Sequence, residues 1–192
     1  FLDVARQAEF AAGRYGLWEH ATKTEPAATH VERFFGFVQE TRLRCTVCDN
    51  APVGALYSAE TVLRLVPEAV AGGALTISEL YLASCRPQRQ VVRCNACSSD
   101  RSHESQSRIM TGPNVLWIQV KRGPGPRVPV EPEELLDLPG LEVMELAGVV
   151  YHAGRTLTEG HYTCAVRDAA GCFWFCDDGL NPAPLDLSLI HI

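Results

Sequence analysis

The sequence predicts an α+β domain in which an antiparallel sheet carries a separate metal-binding lobe. Two Cys-x-x-Cys pairs stand in the first half of the chain, and short β-rich runs joined by turns fill the second half. The chain has 192 residues, of which 46% are hydrophobic and 21% charged. This length and composition suit one well-packed domain with an appendage.

The charge and hydropathy of the chain narrow its possible partners. The formal net charge is −6, whereas a nucleic-acid surface needs clustered Lys and Arg, so a nucleic-acid-binding zinc ribbon is disfavoured. No apolar run approaches the length of a membrane span, and no charged-then-apolar leader opens the chain. We therefore expect an intracellular protein, cytoplasmic or nuclear, with neither nucleic acid nor membrane as a partner.

The first hundred residues are expected to hold a helix, a strand and a projecting lobe. Apolar positions in residues 1–20 fit a helix, and the loop with Pro26 ends it. Residues 31–44 alternate well enough to predict a strand that leads into the first cysteine pair. The lobe over residues 40–100 then holds two short strands and a helix that Thr76 or Ser78 caps: strand 61–66, helix 76–82 and strand 90–93.

Four of the eight cysteines form two knuckles. Cys45 and Cys48 make one pair and Cys94 and Cys97 the other, with 45 residues between the pairs. Each turn presents two thiolates, so together they supply the four ligands of a tetrahedral Zn²⁺. Two reduced, uncoupled turns or a pair of disulfides are the alternatives. The remaining cysteines have no matching spacing, and buried strand or helix positions suit them: Cys85, Cys164, Cys172 and Cys176.

The second half of the chain predicts mainly strands. Residues 98–107 are polar and without periodicity, so no regular element is expected there. The apolar run over residues 114–120 predicts a buried central strand, and the proline-containing residues 129–139 predict an extended connector. Three strands then close the domain, and a turn at residues 168–171 makes the last two a hairpin: 141–151, 161–167 and 171–176.

This closing hairpin brings a histidine close to a carboxylate. His161 begins one strand, and Asp177 and Asp178 follow the other. A carboxylate beside an imidazole is the arrangement that orients a general base. The pair lacks a nucleophile, because Cys164 and Cys176 are strand neighbours that point along or away from the imidazole. On these residues alone, a structural histidine and a simple Asp-Asp-Gly turn remain the alternatives.

Four motifs follow one another along the chain. They are residues 6–10, the two cysteine pairs, the run 113–122 ending in Lys-Arg, and the Gly-His-Tyr-Thr box at 160–163. In this order they resemble the ubiquitin-specific proteases, a family of cysteine deubiquitinases, although Gly123 replaces the Phe of the family's Lys-Arg-Phe strand. The resemblance implies a papain-like cysteine protease fold with an antiparallel palm sheet, a zinc-ribbon fingers lobe and an N-terminal thumb that is mostly missing.

The resemblance also implies a division of the chain. A partial protease domain would cover residues 1–182, and residues 183–192 would be an unassigned tail. Within the domain, residues 1–38 would be a residual thumb helix and loop, residues 39–100 the fingers, and residues 101–182 the palm with its histidine and aspartate box.

Residue roles follow from the same resemblance. His161 would be the general base, Asp177 would hold its tautomer, and Asp178 would support that geometry. The four paired cysteines would hold a structural Zn²⁺ in fingers that grip ubiquitin. Gly160 would leave room for the ubiquitin tail, and Tyr162 and Trp174 would pack beneath the site.

The chain departs from the family in one respect. The family's nucleophile lies in an N-terminal Gly-Asn-Thr-Cys box, and no cysteine precedes Cys45 here. We expect that this box precedes Phe1 in the parent protein and that the chain alone is inactive. The parent would cleave isopeptide or peptide bonds at the C-terminal glycine of ubiquitin, with ubiquitin and ubiquitinated proteins as its partners. The alternative is a non-catalytic, zinc-containing module that binds ubiquitin.

Overall fold

The computed structural model describes residues 29–49, 55–67, 74–99, 102–122, 128–156 and 159–186. The helix expected in residues 1–20 lies outside these ranges. The chain divides into two compact units. The first unit comprises Phe1–Val66, Tyr81–Gly123 and Leu138–Glu142, and the second comprises Pro67–Leu80, Pro124–Asp137 and Val143–Ile192. Within the described ranges, no helix is long and apolar enough to cross a membrane.

The described residues form short helices and many strands. In chain order they are α1 (His30–Phe35), β1 (Phe37–Cys45), β2 (Ala55–Glu60), β3 (Leu63–Leu65), β4 (Leu75–Thr76), α2 (Ile77–Ser84), β5 (Gln88–Val91), β6 (Ser102–Thr111), β7 (Ile118–Val120), β8 (Val130–Glu131), β9 (Leu135–Leu136), β10 (Met144–Glu145), β11 (Gly148–Thr156), β12 (Glu159–Arg167), β13 (Phe173–Cys176) and β14 (Ala183–Leu185).

Both helices begin with a capping box. The Thr29 hydroxyl accepts a hydrogen bond from the Glu32 backbone N–H at 3.2 Å, and the Glu32 carboxylate accepts one from the Thr29 N–H at 3.1 Å. Thr76 and Glu79 repeat the arrangement at α2, as the sequence predicted for Thr76. The strand predicted over residues 31–44 is wrong at its start, because the first capping box begins a helix that continues to Phe35, and β1 follows it.

A four-stranded antiparallel sheet forms the centre of the first unit. Its strand order is β2-β1-β6-β5, and β1 pairs with β6 from Gln39 opposite Ile109 to Cys45 opposite His103. Strand β6 overturns the expectation that residues 98–107 lack regular structure. Its buried positions include His103 and Ser105, so its alternation of buried and exposed residues is not an alternation of apolar and polar ones.

A buried carboxylate ties three neighbouring strands of this sheet together. Glu40 of β1 is 2% exposed and accepts hydrogen bonds from Arg42, from Arg108 of β6 at 2.7 Å and from the Tyr57 hydroxyl of β2 at 3.1 Å. Burial by itself raises the pKa of this carboxyl, but the hydrogen bonds from Arg42, Arg108 and Tyr57 outweigh it and lower the pKa. The ionised carboxylate therefore holds side chains of neighbouring strands in register.

The strand predicted over residues 114–120 is much shorter in the structure. Only β7 pairs, in parallel with β3, and its residues are half-buried. The Asn114 side chain and the Val115 backbone N–H instead donate to carbonyl oxygens at the end of α1, at 3.1 and 2.8 Å. Trp117, expected in the core, is 42% exposed. The apolar run led to a wrong prediction because residues in its first half hydrogen-bond to carbonyl groups at the end of α1 and do not pair as a strand.

The second unit is built on the antiparallel sheet β11-β12-β13-β14. Buried Val149, Ala165 and Phe173 form its core. The closing hairpin is present as predicted, with β12 and β13 joined by a turn. The strand predicted over residues 141–151 is wrong, because β10 pairs with β9 and a separate strand, β11, begins at Gly148. In the proline-containing connector, β8 pairs in parallel with β4, and β14 extends the sheet into the predicted tail.

Candidate functional site

The closing hairpin places His161 and Asp177 in direct contact. His161 is the third residue of β12, opposite Ala153 of β11, and Asp177 follows the last residue of β13. The register pairs Cys164 with Cys176, which carries Asp177 back toward the start of β12. The distance between His161 Nε2 and Asp177 Oδ1 is 2.6 Å. The two side chains are 53% and 22% exposed, so the imidazole is open to an incoming group while the carboxylate is largely covered.

This hydrogen bond determines which ring nitrogen can act as a base. An ionised carboxylate can only accept hydrogen bonds, so Nε2 of His161 carries the ring proton and donates a hydrogen bond to Asp177. The lone pair of the neutral ring is then on Nδ1. Nδ1 is the atom that can take a proton from a thiol, and the carboxylate stabilises the imidazolium that forms.

Asp178 does not share this contact. It is exposed at the start of a tight turn, and among the described residues Asp177 is the aspartate that hydrogen-bonds to His161. The charge of Asp178 contributes, after burial and Cys176, to a raised pKa of Cys164. The predicted supporting role of Asp178 toward His161 therefore stays a prediction.

The turn between β12 and β13 is fixed by Asp168. Its carboxylate accepts hydrogen bonds from Trp174 Nε1 at 2.8 Å and from the backbone N–H groups of Ala170 and Cys172 at 2.9 Å each. The bond from Trp174, followed by those from the backbone, lowers the pKa of Asp168. This role of Asp168 was not predicted from the sequence, although an aspartate that opens a turn is a typical Asx signal. Asp168 thus sets the register that brings His161 to Asp177.

Gly160 lies where the backbones of β11 and β12 approach closely. Its φ is +140°, and a Cβ there would lie 2.5 Å from the Ala153 carbonyl oxygen and 2.7 Å from His152 Nε2. The His152 ring stacks on Tyr162 with 4.4 Å between centroids, and Tyr162 is 48% exposed. The residue before His161 must therefore be glycine for a local packing reason.

The four paired cysteines converge in the first unit. Their sulfur atoms all lie within 4.8 Å of one another, with Cys45 and Cys97 at 3.9 Å and Cys48 and Cys94 at 3.7 Å. A tetrahedral site with Zn–S bonds of about 2.3 Å has sulfur atoms about 3.8 Å apart. The donor set and its spacing therefore fit one structural zinc ion.

The backbone prepares these thiols for deprotonation. Backbone N–H groups of Cys97 and Ala96 lower the pKa of Cys94 to about 6, and those of Cys48 and Val47 lower the pKa of Cys45. Each knuckle is followed by a residue with positive φ: Asp49 at 55° and Ser98 at 53°. Amides that donate to the sulfur atoms, such as the Val47 N–H at 3.4 Å from Cys45 Sγ, favour thiolates.

The other four cysteines occupy mixed environments. Cys164 and Cys176 are half-buried strand residues and Cys85 is half-buried at the end of α2, whereas Cys172 is exposed in the turn before β13. The expectation of a buried strand or helix position is thus wrong for Cys172. Burial, followed by the neighbouring Cys176, raises the pKa of Cys164, so this thiol is a poor nucleophile.

Sequence comparison finds relatives among plant hydrolases. No family model matches the chain. Ubiquitin carboxyl-terminal hydrolase 25 of Arabidopsis thaliana is 21% identical over 164 residues, which cover 77% of this chain and 24% of the relative. Ubiquitin carboxyl-terminal hydrolase 17 of the same plant is 31% identical over 113 residues, which cover 50% of this chain and 15% of the relative. The chain therefore spans only 24% and 15% of these relatives.

Solved structures share the fold at low sequence identity. A chain of the SAGA Ubp8/Sgf11/Sus1/Sgf73 DUB module bound to monoubiquitin matches with a TM-score of 0.67 and 19% identity, over 87% of this chain and 41% of that chain. A chain of the yeast SAGA module matches with a TM-score of 0.68 and 19% identity, over 88% of this chain and 40% of that chain.

These likenesses define the fold. The chain shares the fold of these DUB-module chains, with antiparallel sheets and a four-cysteine group that fits a zinc-ribbon lobe. The relatives found in sequence are ubiquitin carboxyl-terminal hydrolases, so the sequence likeness agrees with the shared fold. The resemblance noted in the sequence motifs is confirmed.

Proposed function

We propose that the chain is the base-bearing part of a thiol-dependent deubiquitinase, which cleaves isopeptide or peptide bonds at the C-terminal glycine of ubiquitin. The observation that carries this proposal is the 2.6 Å hydrogen bond between His161 Nε2 and Asp177. The proposal is supported by the fold shared with a DUB module bound to monoubiquitin. Its partners are then ubiquitin and ubiquitinated proteins.

We assign a step of the proposed reaction to each side chain. Nδ1 of His161 takes the proton of a cysteine thiol, and the thiolate forms a bond to the carbonyl carbon of the ubiquitin glycine. The same proton passes from Nδ1 to the departing lysine amine as the C–N bond breaks. Water then attacks the thioester with His161 again as base, the C–S bond breaks to release the ubiquitin carboxylate, and the proton on Nδ1 returns to the cysteine sulfur. Asp177 stays ionised throughout and keeps the ring oriented.

The nucleophile is proposed to come from outside these 192 residues. All eight cysteines lie in the described ranges; four form the metal cluster, and the thiol of Cys164 has a raised pKa. The Cys176 thiol faces the Trp174 carbonyl oxygen at 3.8 Å. No cysteine among them is in the hydrogen-bonding contact with His161 that activation requires. We therefore propose that the chain alone is inactive.

The four-cysteine cluster is proposed to hold one structural Zn²⁺. The ion would supply a cross-link between the end of β1 and the segment that follows β5, and so hold the fingers that contact the body of ubiquitin. A site of four reduced thiolates fits a reducing compartment, so we place the protein in the cytoplasm or nucleus.

A fluorogenic amide at the ubiquitin C-terminus tests the proposal. We expect no turnover by the 192-residue chain, and turnover by an extended chain that includes a cysteine box. In the extended chain, His161→Ala should lower kcat by about 10²–10⁴. Asp177→Asn should also lower it, and Asp178→Asn is the matched comparison, expected to lose less because the structure gives it no bond to His161.

Two outcomes would contradict parts of the proposal. Turnover by the 192-residue chain that disappears with His161→Ala would show that a cysteine within the chain is the nucleophile. An extended chain that binds ubiquitin but leaves the amide intact would identify the non-catalytic, ubiquitin-binding module instead.

A further inference from the structure

A histidine is buried without a hydrogen-bond partner in the sheet of the first unit. His103 of β6 is 0% exposed, and within the described residues neither of its ring nitrogens has a partner. A neutral imidazole carries one N–H donor and one acceptor. Leaving both the donor and the acceptor unpaired in a protein interior is unfavourable, so a buried imidazole without hydrogen bonds needs a physical explanation.

The strand register places His103 beside a metal ligand. His103 lies opposite Cys45 of β1 on one side and opposite Gln90 of β5 on the other. Residues directly opposite in antiparallel strands share a face of the sheet, with Cβ atoms about 5 Å apart. Cys45 and Cys94 are also 0% exposed. The imidazole and these two sulfur atoms therefore belong to one water-excluded region.

The other polar neighbours on this face bond to one another. The Gln90 amide donates to Ser105 Oγ at 2.9 Å, and the Ser105 hydroxyl faces the Gln88 carbonyl oxygen at 3.4 Å. The cysteine sulfur atoms are different, because their strength as acceptors changes when a metal binds. A metal-bound thiolate carries negative charge and accepts N–H hydrogen bonds, whereas a neutral thiol is a weak acceptor.

We propose that His103 is a positioning residue of the zinc site, which donates a ring N–H to a metal-bound thiolate of Cys45 or Cys94. This inference rests on the zinc ion proposed above. The hydrogen bond would give the buried imidazole its partner and would offset part of the negative charge of four thiolates. Outer-shell partners of metal ligands typically contribute 10–100-fold in metal affinity.

The direct test is a nuclear magnetic resonance measurement on the unsubstituted 192-residue chain. The protein is loaded with ¹¹³Cd²⁺, a tetrathiolate-compatible probe, and labelled with ¹⁵N-histidine. An N–H···S–Cd hydrogen bond transmits scalar coupling, so the His103 ring N–H should correlate with the ¹¹³Cd resonance. His103→Leu assigns the signal by removing it.

Metal affinity supplies the second readout, measured by competition with a chelator. The His103→Leu protein fills the buried position with an apolar side chain that cannot donate a hydrogen bond. It should bind Zn²⁺ about 10–100-fold more weakly than the wild type. His103→Gln retains an N–H donor and should recover part of that loss. Gln90→Leu is the matched control, because Gln90 is the other cross-strand neighbour of His103 but is exposed; its affinity should stay unchanged.

The outcomes separate this inference from the zinc proposal. A wild-type chain that binds neither Zn²⁺ nor Cd²⁺ overturns the metal site itself. A chain that binds Cd²⁺ without any coupling to His103 overturns the hydrogen bond and leaves the metal site standing. If His103→Leu and His103→Gln lose affinity equally, the imidazole acts through packing and the proposed donor role is wrong.

Discussion

Replacing Gly160 by alanine should destabilise the β11–β12 hairpin. The loss in stability should be far larger than an ordinary Gly-to-Ala substitution, which changes only backbone flexibility, would cause. Its φ of +140° is one that L side chains rarely adopt, and its Cβ would lie 2.5 Å from the Ala153 oxygen and 2.7 Å from the Gly154 Cα. Backbone strain of this kind costs about 1–3 kcal/mol. Separating the strands would also weaken about two ladder hydrogen bonds that contribute about 1 kcal/mol each, which together with about 2 kcal/mol of strain gives a total of about 4 kcal/mol.

Amide hydrogen exchange measures this loss locally. A change of about 4 kcal/mol in opening free energy corresponds to roughly a thousandfold faster exchange, since each 1.4 kcal/mol is tenfold. We expect this acceleration at the amides of β11 and β12 in the Gly160→Ala protein. Exchange is read residue by residue and so resolves one hairpin, which is an advantage in a chain that divides into two compact units.

Gly179→Ala is the matched control for this experiment. Gly179 has a φ of +76°, but nothing lies within 4 Å of the position its Cβ would take. The substitution therefore introduces backbone strain of about 1–2 kcal/mol without a steric clash. If Gly160→Ala accelerates exchange no more than Gly179→Ala does, close approach of the strands is not the reason for glycine at position 160.

Three further predictions follow from the structure. Purified protein should contain about one zinc per chain, lost in Cys94→Ser and kept in Cys85→Ser, as elemental analysis will show; equal zinc in both variants would contradict the four-cysteine site. The pKa of Asp168 is lowered in the folded protein, so its contribution to stability is complete above the ordinary aspartate pKa of about 4 and is lost as pH falls through the lower folded value. Unfolding followed from pH 7 to pH 2 should show this decline in the wild type, and a decline of the same size in Asp168→Asn would refute it. Phe37 is 1% exposed, so Phe37→Ala should lower the free energy of unfolding of the first unit by about 3–5 kcal/mol in urea; a loss below about 1 kcal/mol would mean that the site collapses to fill the cavity.

The features predicted correctly from sequence depend on short-range spacing. The two Cys-x-x-Cys pairs specify knuckles whatever the fold around them, and the structure brings their sulfur atoms together. The closing hairpin was predictable because a turn-forming segment separates two β-rich runs. That hairpin places His161 beside Asp177, so the pairing of two consecutive strands was enough to predict this contact.

Two of the features missed from sequence are ones in which polar residues carry structure. Strand β6 has His103 and Ser105 at buried positions, and an apolar count cannot detect such a strand. Helix α1 was hidden by aromatic residues with high β propensity, although the Thr-x-x-Glu signal at Thr29 and Glu32 was present in the sequence. The order β2-β1-β6-β5 also depends on long-range pairing, which local periodicity does not encode.

The long sequence separation across the first sheet also bears on how the protein assembles. Thr41 of β1 and Ser107 of β6 hydrogen-bond across 66 positions of chain, and contacts of this range form slowly because a large loop must close first. Cys45 and Cys97, 52 positions apart, lie at one end of the same strand pair. Metal capture at that end would hold both strands in reach of each other before the rest of the ladder forms. The zinc ion proposed above would therefore act on the rate at which the protein reaches its native state, in addition to the stability of that state.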